Sequence, residues 1–428
     1  MRILITGGRV LDPGRLDGRL NILLENGAIA AIAPPADLAP DCCPDARTLD
    51  AAGLLVVPGL IDLHVHFREP GFEYKETIQT GCAAAVAGGF TAVCPMPNTR
   101  PAIDSGELTA FVRRQAAAAG LCRVHPVAAI SRGLAGEELS PFAELKAAGA
   151  VAVSDVGNPV LNSRLMRQAL IAAREHGLLV ISHSEELSLA AGGAINEGPV
   201  SERLGVGGIP NVAESIMVLR DIALCELTGA PLHIAHVSTA ESVRAIRDAK
   251  ERAIPVTAET APHYFTLTDE AVIACGANAK MNPPLRAAKD RQAVREGLAD
   301  GTLDAIATDH APHAPAEKAG DLAKAANGIV GLETSLGLSL RLVAEGVLSL
   351  PDLIARMATR PAQILGLDNR LLPGNPADLT LIDLSRRYTV DAAAFRSKSR
   401  NTPFDGWPLV GCAVLTLVAG RVVFDARS

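Results

Sequence analysis

The sequence predicts an α/β fold: a (β/α)8 TIM-type barrel with a small β-sandwich domain built from both chain termini. Three observations predict it. Eight apolar strands alternate with helical stretches across about 300 residues. The strands are apolar almost throughout, as in a parallel sheet covered on both faces. Both chain ends are short β-rich runs with Gly turns, unlike the middle.

The chain has 428 residues, 48% hydrophobic and 20% charged, enough for one large domain and a smaller one. "RILITGGRVLD" and "NILLENGAIAAIA" read as strands broken by Gly-Gly and Asn-Gly, and "ADLTLIDL" and "CAVLTLVAGRVVFD" read likewise near the other end. Residues 1–57 and 370–428 are therefore expected to form the small domain, and 58–369 the barrel. Barrel strands are expected at 59–67, 90–97, 121–129, 150–155, 178–183, 231–237, 254–259 and 303–310. Helices are expected at 75–89, 105–119, 140–148, 162–176, 210–228, 240–252 and 290–299. An open doubly wound sheet is the alternative, but no Gly-rich phosphate fingerprint follows the first strand.

Net charge is -7, from 40 basic and 47 acidic residues, with no basic stripe to suit nucleic acid. None of the eight cysteines forms a C-x-x-C pair, which fits a reducing cytoplasm and argues against a thiolate zinc site. The first residues lack a signal-like apolar run, and no window approaches the roughly 18 apolar residues of a membrane span. A cytoplasmic location is expected.

In a barrel of this kind the active site lies at the C-terminal strand ends. "GLIDLHVHFREPG" places Asp62, His64, His66 and Arg68 at alternating positions, so all four share a face. The fourth strand ends in Asp155, the fifth in His183, the sixth in His236 and the eighth in Asp309. Four imidazoles and two carboxylates form a nitrogen/oxygen set suited to Zn²⁺ with one position left for water. Taken singly, a strand histidine is most often a satisfied core residue, and a strand-end aspartate most often caps a helix. Six at matching strand ends are hard to ascribe to chance. Asp62 is read as a hydrogen-bond anchor, and His233, three residues before His236, as lying on the opposite face.

"DLHVHFREPG", "MPNTRP", "IATDHAPH", "GIVGLET" and "SKSRNTPFDGW" resemble the hallmark segments of the dihydroorotases of the amidohydrolase superfamily, in their bacterial form. D-x-H-x-H is shared by many metal hydrolases; "HFREPG" together with "TDHAPH" is far more specific. The resemblance covers nearly the whole chain. It implies reversible hydrolysis of L-dihydroorotate to N-carbamoyl-L-aspartate in pyrimidine synthesis, with one or two zinc ions per subunit. It implies metal positions at His64, His66, Asp155, His183, His236 and Asp309, with Asp309 also shuttling the proton. It places substrate contacts at His66, Arg68, Asn98, Asn282, His313, Asn327 and Gly328. It further implies a homo-oligomer and aspartate transcarbamoylase as a candidate partner.

Two departures stand out. Asn327-Gly328 replaces the usual Phe-Gly, making the pocket wall more polar, and Val156 follows Asp155 where a second Asp often stands. Hydantoinases and allantoinases are the nearest rivals. They usually carry a carboxylated lysine on the fourth strand, whereas "AVAVSD" has none and Lys146 is nine residues before Asp155. A non-catalytic subunit scaffolding the transcarbamoylase is the other alternative, though such relatives are expected to lose metal ligands.

Overall fold

A computed structural model of the chain describes residues 2–427. The barrel strands are Leu60–Val65, Phe90–Pro95, a third in two pieces, Ala152–Val153, Leu179–Ser182, Leu232–Ile234, Val256–Thr260 and Ala305–Ile306. All neighbours pair in parallel. A parallel bridge between Val65 and His310 joins the last strand to the first, and the His66 amide donates to the His310 carbonyl at 2.8 Å.

The third strand differs from the expected single run over 121–129. Arg123–Val124 pairs with the second strand and Val127–Ala128 with the fourth. Pro126 lies between the pieces and has no N–H to give a ladder. The fourth and eighth strands are shorter than expected, and past Ala307 the eighth has no regular ladder before the bridge at His310. The Thr308 amide donates instead to the Asp62 carboxylate at 3.0 Å.

Helices return each strand to the next, and their ends follow local chemistry. Thr77 caps Ile78–Ala87 by accepting from the Thr80 amide. Ser105 caps Gly106–Ala119, which stops at Gly120 with φ of 60°. Asn162 caps Ser163–Glu175 and Thr239 caps Ala240–Glu251 in the same way. Their apolar faces meet the strands in one large core that includes Val93, Val180, Leu232, Val256, Leu170, Val243 and Leu298. Burying a side chain of that size stabilises the fold by about 1.5–3 kcal/mol.

The termini build two further sheets. One has four strands in the order Ala28–Ala33, Asn21–Glu25, Arg2–Thr6, Arg47–Asp50. The other has six: Arg421–Asp425, Pro408–Val418, Leu379–Thr389, Leu55–Pro58, Arg9–Asp12 and Leu16–Arg19. Ile3, Ile22, Val56, Leu379 and Leu415 share an apolar core of their own. The chain passes from this layer into the barrel at Gly59. A side chain there would sit 2.0 Å from the Thr91 hydroxyl, so only glycine fits. No helix among the described residues is long and apolar enough to cross a membrane.

Candidate active site

His64 lies within the first strand and His66 one residue past its end. Both are buried. Asp62 is the anchor beneath them: its carboxylate accepts from the His64 amide at 3.1 Å, the Thr308 amide at 3.0 Å and the Thr308 hydroxyl at 2.5 Å. That clasp joins the first and eighth strands where ladder bonds stop. Burial pushes the Asp62 carboxyl up to about 7 despite these bonds.

Asp309 lies three residues past the eighth strand, with φ of 47°. Its Oδ1 is 3.0 Å from His66 Nε2 and 3.5 Å from His64 Nε2. His64, His66 and Asp309 offer ligand atoms all within 4.8 Å of one another. Each imidazole is held from behind. His64 Nδ1 lies 2.8 Å from Glu259 Oε1, and His66 Nδ1 lies 2.8 Å from Asn98 Oδ1. An acceptor at Nδ1 holds a proton there, so that in the neutral ring Nε2 is the lone pair a metal-binding histidine uses. The buried Nε2 of His64 has no hydrogen-bond partner. Burial alone would raise the Asp309 carboxyl, but the imidazoles of His64, His66 and His236 outweigh it and hold it well below the usual range.

His183 and His236 form a second nitrogen pair, His183 Nδ1 lying 2.7 Å from His236 Nε2 with the rings near perpendicular. His236 is 5.2 Å from His64, centroid to centroid. Burial, then His183 and His64, depress the His236 imidazolium strongly. A neutral imidazole is the form that can ligate.

Asp155 stands apart from these five residues. Its Oδ1 accepts from the amides of Ile130 (2.7 Å) and Ser131 (3.0 Å), and its Oδ2 accepts from the Ser131 hydroxyl. The expectation for His233 needs correction. The strand ends at Ile234 and His236 has φ of 37°, so strict alternation fails before His236 is reached. His233 Nε2 lies 3.3 Å from Glu259 Oε2, so His233 joins the same buried network as His64.

One cavity of about 280 Å³ gathers His66, Arg68, Asn98, His183, His236, Asn282, Asp309, His313 and Asn327. Val156, Gly157, Met281 and Ala311 complete its wall. Arg68 is buried, its Nε donating to the Pro312 carbonyl at 3.2 Å, and burial lowers its guanidinium to about 10. His313 Nε2 donates to the Asn327 carbonyl at 2.8 Å, and Arg68 Nη2 lies 3.3 Å from the same nitrogen. Burial, with Arg68, Lys75 and Lys318 around it, lowers His313 to about 3. Asn282 Nδ2 donates to Glu185 at 3.1 Å, leaving its buried Oδ1 unpartnered. Gly328 sits behind His313: with φ of 152°, a Cβ there would lie 2.7 Å from the Ala311 carbonyl oxygen and 2.8 Å from His313 Cδ2.

Three supporting residues escaped the sequence reading. Glu259 orients His64, Asn401 accepts from the His313 amide at 3.0 Å, and Glu76 lies 3.3 Å from His310 Nε2. Asn401 lies inside the hallmark segment "SKSRNTPFDGW", the one signal that pointed to it. Lys146 donates to the Gly177 carbonyl at 2.6 Å from an exposed helix position, away from the cavity.

Comparison with known proteins agrees with this arrangement. A dihydro-orotase-like family model matches residues 53–242, and an amidohydrolase family model matches residues 228–424. The chain is 56% identical over 425 residues to a dihydroorotase of Desulforapulum autotrophicum, covering 99% of each. It is 55% identical to a dihydroorotase of Geobacter metallireducens, covering 99% of this chain and 100% of that one. Among solved structures, the L-hydantoinase (dihydropyrimidinase) of Arthrobacter aurescens superposes with a TM-score of 0.88 at 27% identity, covering 100% of this chain and 96% of that chain. The dihydropyrimidinase of Brevibacillus agri shares the fold with a TM-score of 0.85 at 24% identity, over 100% and 96% of the two chains.

Proposed function

The chain belongs to the dihydroorotase family of amidohydrolases, and from that premise we propose that the cavity beneath Arg68 is where the cyclic amide of L-dihydroorotate is opened and re-formed. The protein is a dihydroorotase: it interconverts L-dihydroorotate and N-carbamoyl-L-aspartate in pyrimidine synthesis. The observation that carries the site assignment is the buried Arg68 guanidinium in the same small cavity as Asp309 and His66.

The substrate presents a carboxylate beside a ring amide. Arg68 offers a planar fork for that carboxylate. Asn98 and Asn282 offer amide groups for the carboxylate and ureido edges, and His313 and the Asn327–Gly328 backbone form the far wall. Asp309, held ionised, takes a proton from the attacking water. When the ring C–N bond breaks, it returns that proton to the departing nitrogen. Ring closure runs the same transfers backwards.

The residues suit a divalent cation. The unpartnered Nε2 of His64, the Nε2 of His66 and the Asp309 carboxylate converge, and this nitrogen/oxygen set favours Zn²⁺. His183 and His236 would hold a second position. Asp155, held by Ile130 and Ser131, keeps a free lone pair on Oδ2 with which it would join one of these positions. A bound zinc ion would polarise the ring carbonyl and lower the pKa of its water to about 7. One or two ions per subunit, a homo-oligomer and a transcarbamoylase partner remain part of this proposal.

The test is turnover of dihydroorotate by the purified protein with zinc, after chelation, and in Asp309→Asn. Asn is nearly isosteric but a poor proton acceptor. Proton transfer by a placed carboxylate contributes about 10²–10⁴-fold, so the variant should lose at least that factor with its fold intact. Near-normal turnover by Asp309→Asn, or turnover indifferent to chelation, would remove Asp309 or the metal from the mechanism.

A further inference from the structure

The wall of the cavity that carries His313 and Asn327 is a long segment with almost no regular structure. Between His313 and Ile329 its one helical turn is Pro315–Glu317. Something other than a backbone ladder must hold it in place.

Two lysines do so. Lys318 Nζ donates to the carbonyls of Ala326 (2.8 Å), Gly328 (2.9 Å) and Lys280 (3.3 Å). Lys280 is buried, and its Nζ donates to the carbonyls of Ala325 (2.8 Å) and Ala323 (3.1 Å). Its own carbonyl also accepts from the Gly328 amide at 2.9 Å. These bonds tie the 323–328 stretch to the segment holding Met281 and Asn282, which line the cavity too. Neither ammonium forms an ion pair among the described residues; backbone carbonyls, not carboxylates, hold both behind a pocket for an anion. An ordinary surface lysine would face water or a carboxylate. A buried cation supported by backbone carbonyls is a costly arrangement unless it fixes something.

We propose that Lys280 and Lys318 are positioning residues for substrate binding. Together they hold His313 and the Asn327–Gly328 backbone at the distance from Arg68 that the substrate carboxylate requires. This rests on the reading of the cavity as the dihydroorotate site. Removing one ammonium should therefore weaken binding and leave the chemical step at Asp309 largely intact.

The charged neighbours are few. The charge of Lys280 acts on Lys318, and that of Asp321 on Lys280. Across His313 lie Glu317, Lys75 and Arg68, with Glu317 paired to Lys75 at 2.7 Å. Burial, reinforced by Lys280, lowers the Lys318 ammonium to about 7. A lysine with a lowered folded pKa loses its charge as pH rises through that value. The wild-type KM should accordingly climb on going from neutral to alkaline pH.

The experiment compares wild type, Lys318→Met, Lys280→Met and Lys318→Arg in both reaction directions across that pH range, with metal content measured alongside. Lys318→Met should raise KM about tenfold or more, the equivalent of at least one decade in affinity. Its kcat and metal content should stay close to wild type. Lys318→Arg keeps a charge that does not titrate, so its KM should stay low and lose the alkaline rise. Amide hydrogen exchange of residues 313–328 should quicken in Lys318→Met with or without substrate. Unchanged KM and unchanged exchange in Lys318→Met would overturn the proposal. So would a Lys318→Arg profile identical to wild type, which stays readable if the Met variants fail to fold. Failure of the substrate reading has a different mark: no dihydroorotate turnover by the wild type, while the exchange comparison still reads the clamp.

Discussion

The carboxylate of Glu259 accepts a 2.8 Å hydrogen bond from Nδ1 of His64, and its second oxygen lies 3.3 Å from Nε2 of His233. One buried residue of the seventh strand thus sets which nitrogen of His64 faces Asp309. Burial would raise the Glu259 carboxyl, but His233 and His64 hold it at about 2, so it is an ionised acceptor throughout the working range.

A first prediction follows from that contact. Glu259→Gln keeps the shape but removes the charge, and its amide can donate to His64 instead of accepting. Loss of such a supporting acceptor typically costs about 10- to 100-fold in metal affinity. Competition against a chelator should show zinc affinity weaker by that range, with turnover recovered in excess metal. Zinc affinity equal to wild type would show that Glu259 does not orient a ligand.

How much of this was legible in the sequence depends on what each residue answers to. The strand ends were legible because an apolar run that stops at a polar residue reports burial on one side and a mouth on the other. Pro126 was visible too, but a lone proline in an apolar run does not say whether it ends a strand or splits it. Glu259 was illegible because its partners, His64 and His233, lie on two other strands. His233 was misplaced because period-two counting assumes an unbroken strand, and the positive φ of His236 breaks it. The bonds of Asp155 to Ile130 and Ser131 depend on a loop after a different strand, which spacing alone does not locate. Lys280 and Lys318 escaped because backbone carbonyls leave no mark in a sequence.

A second prediction concerns Gly328. Its φ of 152° is costly for any other residue, and an added Cβ would press on the Ala311 carbonyl and the His313 ring. Forcing one extra carbon into a packed site costs about 1–3 kcal/mol. Gly328→Ala should lower stability by that amount and move His313, raising KM for dihydroorotate about tenfold. Thermal unfolding and steady-state kinetics check it together. A variant as stable as wild type with unchanged KM would mean the wall yields without disturbing His313.

The last prediction separates recognition of the substrate from the chemistry done on it. Arg68 is buried, its Nε engaged by the Pro312 carbonyl, and its fork shares the cavity with Asp309. Dihydroorotate and carbamoyl-aspartate both present a carboxylate there, whereas hydantoin has none. Arg68→Met keeps much of the stem and removes the fork. A hydrogen bond to a charged group contributes roughly 1.5–3 kcal/mol, and each 1.4 kcal/mol is about tenfold in affinity. The variant should therefore lose about ten- to a hundredfold or more in kcat/KM for dihydroorotate. The loss must be equal for carbamoyl-aspartate, because the two directions share one equilibrium constant. An uncharged cyclic imide should be affected far less, since it has nothing for the guanidinium to hold. Measuring kcat/KM for both substrate types in wild type and variant decides the matter. An equal fall for charged and uncharged substrates would make Arg68 a structural support of the metal site, and a wild-type preference for hydantoin would overturn the substrate assignment.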